Sequence, residues 1–420
     1  MRAPLLVFIV LSGCVATPAP TKEVVPDLDP TAGLLLTQPI RIDATRPARE
    51  PSIMVTPGGR LFVAGYVNSG QRDVPGPPDQ TLFYPYLWTS RDNGTSWTRV
   101  NPGSPVAGAF GDSDVSLAAA ADGTLYFATM TFTPAFTNNI VSVAASRDDG
   151  ASWRWTRLAA GPFEDRPWVR VAPDGTAHVV WNNGRGIFHV ASKDGGATWS
   201  SPRIVRAEGG DGGFDVGPVG ELAIRVVPLM ANGALFASGA SDGVLVSTTG
   251  TQWEWRTLPG KRSWPRGPAE RDPPPDGTPR AWDPVAFDAS GNLYAAWGEG
   301  KELMLARSVD LGASWTTVTI AKEPQGNPQF PFLRGDRNAD ALGVSWFVRN
   351  GTTLDARVAV VAWPTDGDAH VKAATAGQGL VETHGEYFEV AFNGGGELVS
   401  AVPTPNGESR LPFLQYRRAG

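Results

Sequence analysis

Four octapeptides in this chain share one pattern, Ser-x-Asp-x-Gly-x-x-Trp: SRDNGTSW at Ser90–Trp97, SRDDGASW at Ser146–Trp153, SKDGGATW at Ser192–Trp199 and SVDLGASW at Ser308–Trp315. A degraded fifth, STTGTQW, stands at Ser247–Trp253. A pattern that returns at intervals of this size marks a repeated supersecondary unit and has to be read before any local propensity. Each copy has the chemistry of a tight reversal. Ser and Asp side chains accept backbone N–H groups, Gly takes a positive φ without steric cost, and Trp re-enters a strand with a large ring to bury. Asp92, Asp148, Asp194 and Asp310 are therefore read as structural.

A second phrase alternates with the first: an apolar strand, a Gly-containing turn and another apolar strand. Its seven copies start near Glu50, Asp114, Asp165, Glu221, Asp283, Gln329 and Glu386. No stretch carries sustained helical periodicity, while 49 Gly and 37 Pro punctuate short runs of Val, Ala, Thr and aromatics. Copies about 45–65 residues apart suit four-stranded propeller blades. The phrase supplies strands A and B of each blade, the segment entering the Ser/Asp turn is strand C, and the segment after its Trp is strand D. The expectation is an all-β chain forming a single β-propeller of seven blades, with six as the alternative because the fourth and sixth units are irregular. The last unit stops after strand C at Leu411–Arg418, and Leu34–Asp43 is placed to supply its outer strand and close the ring.

Residues 1–13 read as a targeting segment: Met1-Arg2, then an apolar run from Pro4 to Leu11 too short to span a bilayer. The run ends in Leu11-Ser12-Gly13-Cys14, which resembles the bacterial lipobox, and Cys14 is the single Cys in the chain. The resemblance implies acylation of Cys14 and a membrane partner reached through that anchor. Val15 stands where an Asp would signal inner-membrane retention, so the expected location is the outer membrane or cell surface. Residues 14–33, rich in Pro, Thr, Ala and Asp, read as a tether, and 34–420 as the propeller. A net charge of -6 without a basic stripe argues against nucleic acid as a partner.

The Ser/Asp turns resemble the Asp-box, or bacterial neuraminidase repeat, of the sialidase-like superfamily. The resemblance covers nearly all of 34–420 and implies an active site on the face opposite the turns, at the starts of the A strands. It further implies an arginine clamp for a carboxylate, a Tyr nucleophile assisted by a Glu, and an Asp acid/base. Arg49, in Arg49-Glu50-Pro51-Ser52-Ile53, is similar to the first arginine's motif. Asp73 or Asp79 stands where the acid/base is expected, Tyr387 matches the nucleophile with Glu386 or Glu382 beside it, and Arg357 stands for the third arginine. The Glu followed by an Arg one hairpin later has no counterpart, since Ala295-Ala296-Trp297-Gly298 offers no arginine.

Acids stand at or near the start of most A strands: Glu50, Asp114, Asp165, Asp215 or Glu221, Asp283 and Glu386, with Asn327 in the sixth unit. Because strand A is innermost, these groups are expected to ring one mouth of the channel, either as ligand contacts or as strand caps. Two long segments, 68–80 and 260–281, belong to this face, the second carrying Trp264 between Arg262 and Arg266. No cofactor or metal is expected. Asp336, Asn338 and Asp340 have the spacing of a calcium loop, but Ala341 replaces its Gly and Phe347 its closing Glu. The four His residues form no zinc-binding pair motif.

Three functions fit: a surface-displayed module that recognises a glycan or protein ligand through the loop face, a glycoside hydrolase of sialidase type or acting on another sugar, and an envelope scaffold. The anchor is tested directly. Cys14→Ser is expected to abolish incorporation of labelled palmitate and to release the protein from the membrane fraction; label retained in the variant is the contrary result.

Overall fold

In a computed structural model, the described residues are 33–66, 86–105, 112–132, 138–183, 185–227, 230–231, 234–235, 243–260, 284–350, 353–364, 367–380, 387–406 and 409–419. Among them are seven four-stranded antiparallel sheets, one small two-stranded ribbon (Met230–Ala231 with Ala234–Leu235) and no helix. The protein is a seven-bladed β-propeller.

Strands A–D of blade 1 are Arg49–Val55, Leu61–Tyr66, Tyr86–Ser90 and Thr98–Val100. Blade 2 comprises Asp112–Ala119, Leu125–Phe132, Asn139–Ser146 and Arg154–Gly161, and blade 3 Asp165–Val171, Ala177–Asn182, Ile187–Ser192 and Arg203–Arg206. Blade 4 comprises Gly210–Val216, Leu222–Val227, Gly243–Ser247 and Glu254–Thr257, and blade 5 Val285–Phe287, Leu293–Glu299, Glu302–Ser308 and Thr316–Lys322. Blade 6 comprises Pro328–Gly335, Ala341–Asn350, Thr353–Ala362 and His370–Leu380. Blade 7 has Val390–Phe392, Leu398–Asn406 and Ser409–Arg418, and takes its outer strand from Ile40–Arg41. That strand pairs Ile40 with Tyr416 and Arg41 with Gln415, with a further bridge between Leu36 and Ala419. The N-terminal clasp is thus as expected from 34–43.

The fourth unit corrects the sequence reading. Its innermost strand is Gly210–Val216, and the segment from Glu221 is strand B. GDGGFDV has two large apolar residues and three glycines, so it lacks the run by which the other A strands were found. Glu221 consequently sits at the A–B hairpin, where its Oε2 accepts Val219 N, and not at the start of an A strand.

The A strands of successive blades touch in cyclic order, and side chains tie several of them to the next. Ser52 Oγ accepts Leu117 N at 3.0 Å, Ser116 Oγ accepts Val169 N at 3.1 Å, and Asp215 Oδ2 accepts Phe287 N at 2.9 Å. Glu389 N donates to Pro51 O at 3.0 Å across the closure between blades 7 and 1. Between the sheets lie apolar layers such as Leu61, Trp88, Val399 and Tyr416, which join blade 1 to blade 7.

The Ser/Asp turns join C to D, on the side of the A–B hairpins. In the first, Ser90 Oγ accepts Gly94 N at 2.9 Å and donates to Asp92 Oδ1 at 2.7 Å, and Asp92 Oδ1 accepts Ser96 N at 2.8 Å. The same bonds recur about Asp148, Asp194 and Asp310. The hydroxyls of Ser96, Ser152 and Thr198 also donate to these carboxylates, and with the bonds above they hold Asp92, Asp148 and Asp194 down to a pKa of about 2. In the degraded turn, Thr249 Oγ1 replaces the carboxylate and accepts Thr251 N and Gln252 N at 3.2 Å each. Behind that turn, His178 and His189 stack and share a hydrogen bond, Nδ1 to Nε2 at 2.9 Å, with Trp253 edge-on to His189.

Two predictions follow from this packing. Gly94 has φ +83°, and a Cβ there falls 2.1 Å from the Tyr416 ring of blade 7. Gly94→Ala therefore meets both left-handed strain and overpacking at the closure, and is expected to cost about 2–4 kcal/mol in denaturant unfolding. Burial pushes His178 down to about 4 and His189 to about 3. The folded form then binds fewer protons than the unfolded chain, so this contribution is present above about pH 6.5 and is lost as pH falls toward 4. About 2–4 kcal/mol is expected to disappear between pH 7 and 5, and the double variant His178→Leu/His189→Phe to show a correspondingly flatter pH profile.

Candidate functional site

Five residues before the last A–B ladder pair, six of the seven blades carry Glu50, Asp114, Arg166, Asp211, Phe330 and Tyr387 at one level of the channel. The level lies at the mouth opposite the Ser/Asp turns. Strand B of blade 1 ends on this side at Tyr66, and strand C starts on it at Tyr86. The backbone there is unusual. Glu50, Asp114, Arg166 and Phe330 have φ of 46°, 44°, 54° and 52°, each within a register shift of its A strand. The remaining non-glycine residues with positive φ among those described are Asn93, Asp149 and Leu311, all inside the Ser/Asp turns. Left-handed conformation at bulky residues costs on the order of 1–3 kcal/mol each, and such bulges re-aim side chains near sites.

The bulges bring together side chains that are far apart in sequence. Tyr387, 5% exposed, lies with its ring centroid 5.4 Å from Trp168 and 6.2 Å from Phe332. Burial, then the Glu50, Asp114 and Glu389 carboxylates, push its phenol well above the ordinary tyrosine range. Tyr66, at the end of strand B in blade 1, is raised by burial and by the same Glu50 and Asp114. The Ser113 hydroxyl lies between the two groups, bonded to Tyr66 and donating to Asp114 Oδ2 at 3.0 Å. Arg49 pairs with Tyr66 in the ladder and is 9% exposed. A carboxylate-rich surrounding opposes a phenolate, so both tyrosines are fixed as hydrogen-bond donors.

Arg166 and Asp211 continue the level on blades 3 and 4. Asp211 is fully buried, and its Oδ1 accepts Asn182 Nδ2 at 2.6 Å. Burial, countered by Asn182 and Arg166, raises its carboxyl well above the usual range. Sequence reasoning did not single out Asp211, Tyr66 or Ser113. The Gly-rich strand hid the first, and the other two gain meaning only from their neighbours across a blade boundary.

The sequence-derived candidates distribute as follows. Glu50, Asp114, Tyr387 and Arg49 meet at this mouth. Asp165 precedes the level by one residue, its carboxylate 3.9 Å from Arg166 Nε. Asp215 lies deeper, four residues along the same strand from Asp211. Arg357 stands on strand C of blade 6, bonded to Thr375 Oγ1 at 2.5 Å and paired with Glu323 and Asp355 at 3.8 and 3.7 Å. Glu323 in turn accepts the Trp346 indole at 3.0 Å, so Arg357 belongs to an outer network between blades 5 and 6. Asp73, Asp79, Trp264, Asp283, Glu382, Glu386 and Cys14 lie outside the described residues. The Asp336–Asp340 hairpin is a polar turn, with Asp336 Oδ1 accepting Asn338 N and Asp340 Oδ1 accepting Ser290 N. No group of three or more metal-ligating side chains occurs among the described residues.

No family model matches the sequence, and no curated protein matches it. Solved structures do share its fold. An alpha-L-arabinofuranosidase from Fusarium graminearum is 11% identical over 91% of this chain and 97% of that chain, with a TM-score of 0.53. A protein of unknown function from Dyadobacter fermentans is 15% identical over 92% and 98%, with a TM-score of 0.51. YCF48 from Cyanidioschyzon merolae is 12% identical over 91% and 99%, with a TM-score of 0.50. At such identities the likeness is one of fold.

Proposed function

We propose that this propeller is an exported protein, anchored through Cys14, that binds a neutral glycan at the strand-A mouth. The observation that carries the reading is the convergence of Glu50, Asp114, Tyr66 and Tyr387 beside the Trp168 and Phe332 rings. Sugars are held by carboxylates that accept hydroxyl hydrogens, phenols that donate, and aromatic faces that cover C–H surface. Two carboxylates flanking one tyrosine set a negative potential, which disfavours a sialic acid carboxylate and suits an uncharged polyol. Arg49 and Arg166 stand at this mouth, but Arg357 is engaged elsewhere, so the three-arginine clamp of a sialidase is not supported.

A second reading is glycoside hydrolysis with Glu50 and Asp114 as the carboxyl pair, favoured by their position on adjacent blades around Tyr387. The similarity in fold to an alpha-L-arabinofuranosidase makes arabinose-containing oligosaccharides the first probes.

The test combines a glycan array with a panel of chromogenic glycosides. Binding to neutral oligosaccharides is expected, weakened about tenfold or more in Glu50→Gln and Tyr387→Phe, with sialosides ranking below them. Preference for sialosides overturns the neutral-glycan reading. Turnover that is lost in both Glu50→Gln and Asp114→Asn selects the hydrolase over the binding module.

A further inference from the structure

The channel has a second chamber, at the mouth on the Ser/Asp-turn side. One residue back from the last A–B ladder pair, the seven A strands carry Met54, Ala118, Arg170, Asp215, Ala286, Arg334 and Ala391. Three of these positions are Ala, and two of them, Ala118 and Ala391, line a cavity of about 190 Å³. Arg170 and Arg334 line it from opposite sides of the ring, and Arg337 reaches in from the A–B hairpin of blade 6. Above them, Trp168, Phe332 and Tyr387 pack at 5.4–6.2 Å and separate this chamber from the strand-A mouth.

The three guanidinium groups have more donors than the protein around them uses. Each carries five N–H bonds. Arg170 Nη1 donates to Ser116 Oγ at 3.1 Å and Val169 O at 2.8 Å, while its Nε has no hydrogen-bond partner. Arg334 Nη2 donates to Glu389 Oε2 at 3.2 Å. Arg337 donates to Val216 O at 2.7 Å and Asp215 Oδ1 at 3.4 Å.

The carboxylates are engaged in part: Arg170 lies 3.8 Å from both Asp215 Oδ1 and Glu389 Oε1, and Glu389 Oε1 makes no hydrogen bond. Asp215 also accepts Phe287 N, Glu389 also accepts Ser52 Oγ at 2.8 Å, and Asp336 Oδ1 accepts Asn338 N. Burial and the neighbouring Arg334 and Arg337 bring Arg170 down to about 10, against the opposing pull of Glu389 and Asp215. The Arg337 side chain is 44% exposed and the Arg334 side chain 15%, so the donors are reachable from the turn side.

We propose that this chamber binds a small oxyanion, a carboxylate or a phosphate, between Arg334 and Arg337 with Arg170 beneath. Planar oxyanions match guanidinium forks, and the cavity wall itself carries three guanidinium groups against one carboxylate, Asp336. With Asp215, Glu389 and Asp336 balancing the three formal charges, the affinity comes from hydrogen bonds rather than net charge, and a millimolar dissociation constant is expected.

The experiment is a thermal-unfolding titration of the protein at constant ionic strength with sodium phosphate, sodium acetate and, as reference, sodium chloride. A saturable rise of about 2 °C over chloride is expected at tens of millimolar. It should vanish in Arg337→Gln and persist in Arg203→Gln, an exposed arginine on strand D of blade 3. Phosphate exceeding acetate assigns the site to phosphate groups, and the reverse order to carboxylates. A rise equal to that of chloride, or one that survives Arg337→Gln, overturns the proposal. Glycan binding at the opposite mouth is expected to be unchanged in Arg337→Gln, which keeps the two sites separately testable.

Discussion

Closure of the ring is the constraint on which everything else depends. The inner edge of every A strand has no partner within its own sheet, and unpaired backbone donors in a packed interior are costly. The chain meets this with side chains that span from one A strand to the next: Ser52 to Leu117 N, Ser116 to Val169 N and Asp215 to Phe287 N. Each such bond contributes about 1 kcal/mol net, but leaving the donor unmet would cost more. The ring then needs a final join, and it has two. Glu389 N meets Pro51 O at the axis, and the strand Ile40–Arg41 completes blade 7 at the rim. Gly94 against Tyr416 shows how little space that join leaves.

The same inner strands make the two mouths different. Toward their starts they bulge, and four bulky residues are held at positive φ. The strained positions include Glu50 and Asp114, which lie beside Tyr387 with Trp168 and Phe332 as a wall. Toward their ends the strands are regular, and small residues stand at three of seven positions, beside a cavity that Arg170, Arg334 and Arg337 line. The aromatic layer lies between the Glu50 and Asp114 level and the arginine-lined chamber. One architecture with sevenfold repetition thus carries two different levels of inward side chains, because the repeat fixes backbone positions and leaves those side chains to vary.

Legibility follows the range of the interactions. The Ser/Asp turns are closed by bonds between residues two to four apart, so Asp92, Asp148, Asp194 and Asp310 were readable as structural from their spacing alone. The clasp was readable too, since a last blade lacking a strand calls for one. The A strand of blade 4 was missed because its glycines and Asp211 replace the apolar run that marks the others. Arg357 was drawn toward the site by its order in the chain, whereas Glu323 and Asp355 hold it in an outer layer. Arg170, Arg334 and Arg337 carried no signal at all, being separated by up to 167 residues in the chain and united only by register.

The sequence by itself determined the repeat, the all-β class, the turn chemistry and the strand that closes the ring, because each is written in contacts between near neighbours or in a missing member of a repeated set. Only the tertiary structure decided which inward side chains share a level of the channel. That depends on bulges and ladder register in seven separate strands, and a one-residue shift in any of them would send a different residue to the mouth.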